Sequence, residues 1–435
     1  MKQNISKMNG VVLPLLAVGM LAILGVSGMA LDLGHSYLNK NRLQSALDSA
    51  ALSGGVTLSN SSDTALASQH ATDAFNQHLV GEMGSDTMTL TIEFSNTLVP
   101  FASGSADPQF IRVSVQDYDR QFSLSRVLPG IGLDKMIGAS AVAGPIPLGG
   151  PGSEVCDIAP LLLCGDSTDT DPTDDTLFGI AFDDGTGSTG KYCLKSSSAS
   201  GGNGGGNGGG NGGGNGGGNG GGNGGGGINW PDDCVNETLH QDNVDTDIGP
   251  GNFQLIQLDC GPGGNCVREN LAGGHSSCLS ESSSVTTKPG NTVGPTAQGF
   301  NTRFGVYQGG MSESEYPPDL VTTEDISYNE YLQRYADENY DEASGAEWRR
   351  VMAVPIGDCG ADSVTSGQTN VPVLGLGCFF MTETTENNGQ NNWLKGTLVE
   401  KCFATGTPGT TPTDLDGGYR PQKIILYKDP DANAA

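Results

Sequence analysis

The hydrophobic pattern is strongest near the amino terminus, where residues 11–31 contain no charged side chain. A helix of this length spans the hydrocarbon core of a bilayer, so the run predicts a transmembrane helix. Residues 32–55 are more polar but repeat small and apolar residues at helical spacing, which predicts that the helix continues beyond the membrane. Gly54 and Gly55 are expected to end it, because glycine is common at helix carboxyl termini.

A second amphipathic helix is predicted over residues 60–80, and the period of the pattern changes after it. Apolar and polar residues then alternate, as they do in half-buried β-strands. Strands are predicted in residues 87–94, 109–124 and 137–143. A long helix packed on a small antiparallel sheet, as in a pilin, is the expected arrangement up to residue 145.

Glycine dominates the middle of the chain. Residues 145–152 are rich in proline and glycine and mark a boundary. Residues 201–227 repeat Asn-Gly-Gly-Gly, which predicts a disordered loop because such a segment cannot bury a core. The repeat lies between Cys193 and Cys234, and a disulfide between these two residues at the base of the loop is a hypothesis.

Strand-like segments resume after the repeat and predict a mostly antiparallel β domain, with one acidic helix over residues 325–340. The segments are residues 253–258, 349–356, 371–381, 394–404 and 423–428. The predicted fold class is therefore α+β: a transmembrane helix that continues into a pilin-like helix and antiparallel sheet, then a mostly β, disulfide-bonded domain. The predicted parts are a cytoplasmic stub (1–10), the anchor (11–31), the helix and sheet (32–145), the start of the β domain (146–200), the loop (201–227) and the remaining β domain (228–435).

The charge and the cysteine content of the chain limit its possible partners and its possible cellular compartment. The formal net charge is -28, and such a surface repels phosphate, which argues against nucleic acid as a partner. None of the ten cysteines precedes residue 156, and no CxxC pair is present. We therefore expect disulfides in an oxidising compartment, which places the chain after residue 31 outside the cytoplasm, beyond a single membrane crossing.

Two other readings of the amino terminus stay open. Residues 28–30, Gly-Met-Ala, fit the small-residue cleavage site of a secretory signal peptide. Gly10 before the apolar run fits a type IV prepilin leader, but Leu15 stands where such leaders place Glu. We favour an uncleaved anchor, since the apolar run is longer than a typical signal peptide core and continues into a helix without a turn.

Several residues in and after the charge-free run carry a resemblance to a known family. Asp32, Gly34 and Tyr37 follow the run in the spacing D-x-G-x-x-Y, and Asn-Arg-Leu-Gln follows at residues 41–44. The matching positions are Gly10, Pro14, Asp32, Gly34, Tyr37, residues 41–44, Ala46 and residues 48–52. This pattern resembles the amino-terminal domain of TadE/TadG-like proteins of Flp (tight-adherence) pilus assembly. The resemblance implies a structural or assembly role, with pilins or other pilus assembly proteins as partners. It also implies a single-pass protein of the bacterial inner membrane with the bulk of the chain in the periplasm or at the cell surface.

The second half of the chain is also similar to TadG-type members, although its motifs are shorter. They are residues 156–161 with Cys164, residues 249–253 with Leu255 and Leu258, residues 288–291 with Gly294, Pro295 and Arg303, residues 350–351 with 354–356, and residues 377–380. Many TadG-like proteins carry a von Willebrand A domain with a D-x-S-x-S metal site. Residues 166–170 are a loose form of that motif, but the chain after residue 171 predicts too few helices, so we expect a member without this domain.

Candidate ligand sites are weak. Residues 185–191 fit two phosphate-binding patterns, but Tyr192 replaces the small hydroxyl residue that a Walker loop needs, and Asp183 and Asp184 would repel phosphate. We predict a glycine-rich turn and no cofactor. Aspartates crowd two segments at a density compatible with Ca²⁺, although no EF-hand pattern is present and solvated acidic loops are the simpler interpretation. They are Asp166, Asp169, Asp171, Asp174, Asp175, Asp414 and Asp416. The metal assignment stays open.

The sequence predicts no catalytic residues. The five histidines, at positions 35, 70, 78, 240 and 275, form neither an H-x-x-x-H nor an H-E-x-x-H pattern, and no G-x-S-x-G elbow occurs. His70 and His78 are two turns apart on one predicted helix and are expected to face solvent. The expected function is a membrane-anchored component of a Flp pilus system, without enzymatic activity or a small-molecule substrate. The alternatives are a surface adhesin released by cleavage near Ala30 and a calcium-regulated binding module.

Overall fold

The structure, a computed structural model, divides the chain into two compact units. The first unit contains Met1–Pro145 and Ile424–Ala435, and the second contains Ile146–Lys423. The structure describes residues 12–79, 88–120, 135–148, 152–165, 167, 176–183, 192–195, 255–258, 263–273, 278–280, 283–288, 292–359, 368–387, 393–409 and 420–430. Residues 424–430 thus belong to the amino-terminal unit, whereas the sequence division assigned them to the β domain.

The described residues confirm the α+β class, with a long apolar helix followed by strand-rich structure. The α-helices are α1 (Val12–Ser61), α2 (Thr64–His78), α3 (Gly264–Gly273), α4 (Val293–Phe300) and α5 (Tyr328–Ala336), and a 3-10 turn covers Asn301–Phe304. The first eight strands are β1 (Thr91–Ser95), β2 (Phe110–Arg120), β3 (Lys135–Pro147), β4 (Glu154–Cys156), β5 (Leu163–Gly165), β6 (Thr176–Leu177), β7 (Ile180–Ala181) and β8 (Tyr192–Lys195). The others are β9 (Ser284–Thr286), β10 (Val351–Asp358), β11 (Asn370–Met381), β12 (Trp393–Val399), β13 (Lys401–Phe403), β14 (Thr405–Thr407) and β15 (Arg420–Tyr427).

In the first unit, α1 and α2 cover one face of the sheet. Strands β1, β2 and β3 pair antiparallel in that order, and β15 follows β3. Helix α2 begins at Asp63, whose carboxylate accepts hydrogen bonds from the amides of Ala65 (2.7 Å) and Leu66 (3.1 Å). The core consists of apolar residues from both helices and the inner sheet face: Leu43, Ala46, Leu47, Ala50, Ala51, Leu58, Ala67, Ala71, Phe75, Ile111, Val113, Val115, Ala141 and Ala143.

The predicted helix end at Gly54 and Gly55 is wrong, because α1 runs on to Ser61. A Cβ atom at Gly54 would lie 2.5 Å from Ile111 Cδ1 and 3.0 Å from the carbonyl oxygen of Ala67. The glycine therefore lets α1 approach both α2 and the sheet. A helix can contain glycine when packing against other elements compensates for the low helix propensity of that residue.

Replacing Gly54 by alanine should destabilise the first unit by about 1–2 kcal/mol, because overpacking outweighs the gain of about 1 kcal/mol in helix propensity. Gly34 is the matched control on the same helix, since a Cβ atom there meets nothing within 4 Å. Thermal unfolding of both variants in detergent, followed by circular dichroism, tests this. Equal melting temperatures for Gly54→Ala and Gly34→Ala would contradict the packing role.

In the second unit, a six-stranded sheet is buried on both faces. Its order is β5-β10-β11-β12-β8, with β9 paired to β11. Neighbouring residues of β11 alternate between two cores: Cys378 and Phe380 pack with α5, while Phe379 and Met381 pack with α3 and α4. Burial on both faces explains why residues 371–381 form an almost continuous apolar run.

Two features of the second unit differ from the sequence prediction. The pairing is mostly antiparallel, but β5 pairs parallel with β10, and β13 pairs parallel with the start of β15. Helices α3 and α4 were not predicted. Both are short, and α4 contains two glycines and a proline, so its propensity is low and its packing against α3 stabilises it. That packing is close: a Cβ atom at Gly299 would lie 2.1 Å from the carbonyl oxygen of Arg268.

Three disulfides link pairs of cysteines within the described residues of the second unit, in agreement with the predicted disulfide-bonded domain. They are Cys156–Cys278, Cys164–Cys359 and Cys378–Cys402. The first two close loops with sequence separations of 122 and 195 residues. In the chain-entropy description each destabilises the unfolded chain by about 5 kcal/mol.

These two long-range disulfides connect the chain before residues 201–227 to the chain after them. We expect that a protease site introduced into this repeat can be cleaved without releasing either fragment, because both bridges remain intact. Electrophoresis of the cleaved protein should show one species without reductant and two with it. Separation of the fragments in the absence of reductant would contradict the pairing.

Candidate functional site: the amino-terminal helix

The first half of α1 is an exposed apolar surface. Twelve large side chains between Leu15 and Leu38 are each more than half exposed. They are Leu15, Leu16, Val18, Met20, Leu21, Ile23, Leu24, Val26, Leu31, Leu33, Tyr37 and Leu38. Within the described chain, this is the one helix long and apolar enough to cross a membrane, by length and composition. Water would solvate this surface poorly, and lipid or another apolar partner would cover it favourably.

A narrow stripe on the same helix is buried. Gly25, Gly28, Asp32 and Asn39 lie on it at helical spacing, and it leads into the fully buried Leu43. The two polar side chains of the stripe are therefore turned away from the exposed apolar surface. Asp32 keeps 8% of its surface exposed and Asn39 keeps 6%.

The second half of α1 is held on the sheet by packing and by polar contacts. Gln44 Nε2 donates hydrogen bonds to Asp48 Oδ1 (2.8 Å) and to the carbonyl oxygen of Ser140 on β3 (3.0 Å). A Cβ atom at Gly55 would lie 3.1 Å from Ile424 and 3.3 Å from Ala143. One uninterrupted helix thus has an exposed apolar half and a half that forms the core of the first unit.

A charged network supports the sheet beneath this helix. Arg112 on β2 forms an ion pair with Glu93 on β1 (2.8 Å) and approaches Asp429 at 3.7 Å. Asp429 also accepts a hydrogen bond from the Ser140 hydroxyl (2.6 Å), so the residues after β15 are tied to β2 and β3. The Arg112 guanidinium lies 4.3 Å from the centre of the Phe101 ring.

Comparison with known proteins finds a similarity in the segment that forms this helix. Residues 10–61 match the model of the Flp pilus-assembly TadE/G-like family. Over these residues the chain is similar to that family. No curated protein and no solved structure matches the chain significantly. The match supports a pilus assembly role and, with the apolar helix, fits a membrane-anchored protein.

The TadE/G-like segment coincides with α1, and its characteristic residues occupy distinct positions on the helix. Asp32 belongs to the buried stripe, whereas Gly34 and Tyr37 are exposed. In the Asn-Arg-Leu-Gln motif, residues 41 and 42 are exposed, Leu43 is buried and Gln44 bonds the sheet. The motif thus marks the point where α1 enters the folded unit. The resemblance noted for the second half of the chain lies outside the matched residues and stays an interpretation.

The two histidines of α2 are in different environments. His78 is exposed, as predicted, and its Nδ1 lies 2.9 Å from the carbonyl oxygen of Ala74. His70 is half-buried against α1, with Nδ1 at 2.8 Å from Thr57 Oγ1, so the expectation that it faces solvent is wrong. The sequence pattern did not reveal this contact because Thr57 belongs to the helix extension beyond Gly55.

Several predicted features lie outside the described residues: the glycine repeat, residues 185–191, Cys234 and the aspartates at 166, 169, 171, 174, 175, 414 and 416. All eight cysteines within the described residues are disulfide-bonded, Cys193 and Cys266 included. In that same part of the chain, no group of three or more His, Cys, Asp or Glu side chains could hold a metal ion.

Sequence reasoning missed the buried polar centre of the second unit. Asp319 is fully buried, and its carboxylate accepts four hydrogen bonds. The donors are the amides of Val321 (2.8 Å) and Arg350 (2.9 Å) and the hydroxyls of Tyr331 (2.8 Å) and Tyr335 (2.9 Å). Burial raises the pKa of Asp319, and the hydrogen bonds oppose that rise.

The Arg350 side chain lies in the same centre. Its guanidinium donates to the carbonyl oxygens of Val321, Thr323, Met381 and Thr382 at 2.8–3.2 Å. It also lies 4.6 Å from the centre of the Phe304 ring and 4.8 Å from that of Phe380. Together with the bonds of Asp319 to Tyr331 and Tyr335, these contacts join α5, β11 and the residue before β10, so this arrangement holds the unit together. A lone Asp-Leu-Val segment and an Arg-Arg pair are too common in sequences to predict it.

Two further arginines cap the carboxyl end of α3. Arg303 Nε donates to the carbonyl oxygen of Leu271 (2.8 Å), and Arg349 Nη2 donates to that of Ala272 (2.7 Å). The last carbonyl groups of a helix lack partners within the helix and carry partial negative charge, so cations are favourable there. The buried arginines are thus used in internal bonds.

Proposed function

We propose that this protein is a single-pass structural component of a Flp-type pilus assembly system, anchored in the bacterial inner membrane by α1. The observation that carries the proposal is the division of this one helix. Its first half exposes apolar side chains, its second half forms the core of the first unit, and the segment matches the TadE/G-like family. Such a helix couples a folded head mechanically to the bilayer, because no flexible joint separates the two halves.

The periplasm is the compartment we propose for both folded units. The eight described cysteines are all disulfide-bonded, and structural disulfides persist in oxidising compartments. Lys2 and Lys7 precede the apolar run and Lys40 and Arg42 follow it, so the flanking charges do not set the orientation. The disulfides are therefore the observation that supports a periplasmic position for the chain after α1.

The role we propose is structural and not catalytic. Asp319 and Arg350 in the second unit bond internal partners, which is typical of groups that specify a fold. The partners we propose are pilins or other pilus assembly proteins, reached by lateral contacts of α1 in the bilayer and by contacts of the head.

Membrane partition and intact mass of the protein from its native host, measured without reduction, test the anchoring. We expect a full-length species that resists carbonate extraction. A soluble species that begins near Leu31 would contradict the anchor and favour the released adhesin. The assembly role has a separate test: cells that lack the protein should lose surface Flp pili, and normal piliation would overturn that role.

A further inference from the structure

The exposed apolar surface of α1 extends beyond the charge-free run. That run ends at Leu31, yet Leu33, Tyr37 and Leu38 remain more than half exposed on the same helix. These side chains lie one to two turns closer to the folded unit. Left in water, each of them would carry the unfavourable hydration of a large apolar group.

The first charged residue after the run does not interrupt this surface. Asp32 is on the buried stripe, and so is Asn39 two turns later. Between Leu31 and Leu38 the exposed side therefore carries apolar residues together with Gly34 and His35. Reading the sequence by charge alone places the end of the apolar surface about two turns too early.

The length and flanking residues of this surface fit a bilayer. From Leu15 to Leu38 the helix rises by about 35 Å, compared with about 30 Å for the hydrocarbon core, and a tilted helix accommodates the difference. Tyr37 lies near its end, where aromatic rings favour the membrane interface. Lys40 and Arg42, which follow, are exposed cations suited to anionic headgroups.

We propose that lipid covers α1 as far as Leu38, so that the base of the first unit lies in the headgroup layer. The base is the point where Asn39 and Leu43 become buried. No stretch of bare helix then separates the bilayer from the folded unit. This inference rests on the proposed membrane anchoring and adds the position at which the bilayer ends.

Three variants, each with one added cysteine, test it in the full-length protein with its native disulfides intact, reconstituted in vesicles of phosphatidylcholine and phosphatidylglycerol. Leu24→Cys measures label accessibility at the centre of the apolar surface, and Leu33→Cys measures it beyond the charge-free run. Ala65→Cys is the accessible reference, at an exposed position on α2. Each variant is labelled with a membrane-impermeant maleimide before and after detergent is added, and labelling of the parent protein is subtracted. We expect Leu33→Cys to react at least about tenfold more slowly than Ala65→Cys before detergent, since leaving lipid is unfavourable for an apolar segment.

The outcomes separate this proposal from the anchoring itself. Protection of Leu24→Cys together with fast labelling of Leu33→Cys would overturn the proposal and leave the anchor in place. Fast labelling of both would overturn the anchor as well. Formation of a disulfide-linked dimer by Leu33→Cys under mild oxidation would show that a second copy, and not lipid, covers this part of α1.

Discussion

An arginine at position 24 should remove the protein from the membrane. Leu24 lies near the middle of the exposed apolar surface of α1 and is 66% exposed, so the substitution disturbs no packing inside the protein. Exchanging leucine for arginine at the centre of a transmembrane helix costs about 3–4 kcal/mol in insertion. This corresponds to a decrease of roughly two to three orders of magnitude in the inserted fraction relative to the non-inserted one.

The matched control is the same exchange at Leu38, which is 53% exposed at the end of that surface. There the arginine side chain can extend into the headgroup layer, so the cost should be small. Carbonate extraction of membranes from cells that express each variant measures the effect. We expect Leu38→Arg to remain in the membrane pellet and Leu24→Arg to be lost from it. Equal retention of both variants would show that α1 does not span the bilayer in this register.

Removing the Asp319 carboxylate should destabilise the second unit by about 3–5 kcal/mol, because Asp319→Ala leaves four buried donors without their acceptor. Asparagine is expected to be nearly as damaging. Each carboxylate oxygen accepts one backbone amide and one tyrosine hydroxyl, so the amide nitrogen of asparagine would face a backbone N–H that cannot reverse its role.

Denaturant unfolding of the full chain in detergent, under oxidising conditions, measures this loss. Tryptophan fluorescence is a suitable probe, since Trp348 stacks on Tyr335 with 4.1 Å between ring centres. Asp337→Asn is the matched control at an exposed aspartate, where a change within about 0.5 kcal/mol is expected. Similar midpoints for Asp319→Ala and Asp337→Asn would contradict a structural role for the buried carboxylate.

The difference in stability between the wild type and Asp319→Asn is expected to depend on pH. Because the pKa of Asp319 is raised in the folded protein, folding favours its neutral form. The associated stability is present below the unfolded pKa of about 3.9 and is lost as pH rises through the raised folded value. The stability advantage of the wild type over Asp319→Asn should therefore shrink as pH increases over that range. A constant difference would show that folding leaves the pKa of Asp319 unchanged, and a difference that grows with pH would show that folding favours the ionised carboxylate; either result contradicts this prediction.

Much of the fold could be predicted because the spacing of apolar residues along the chain shows which side of a helix or strand is buried. The helices around residues 60–80 and 325–340 and the strands at 109–124, 349–356 and 371–381 correspond to α2, α5, β2, β10 and β11. Local signals failed where tertiary contacts override propensity. Gly54 and Gly55 look like a helix end, but close packing against Ile111 and Ile424 keeps them helical.

The sequence by itself determined the apolar helix, its TadE/G-like motif, the α+β class and the disulfide-bonded second half, since composition and short-range spacing encode these properties. The tertiary structure decided how distant segments meet. It placed Ile424–Ala435 in the first unit, paired Cys156 with Cys278 and Cys164 with Cys359, and surrounded Asp319 with four donors. It also turned Asp32 inward and left Leu33 and Leu38 exposed. These features depend on contacts between residues far apart in the chain and on which side of a helix faces the core. Neither can be read from charge and hydropathy along the sequence.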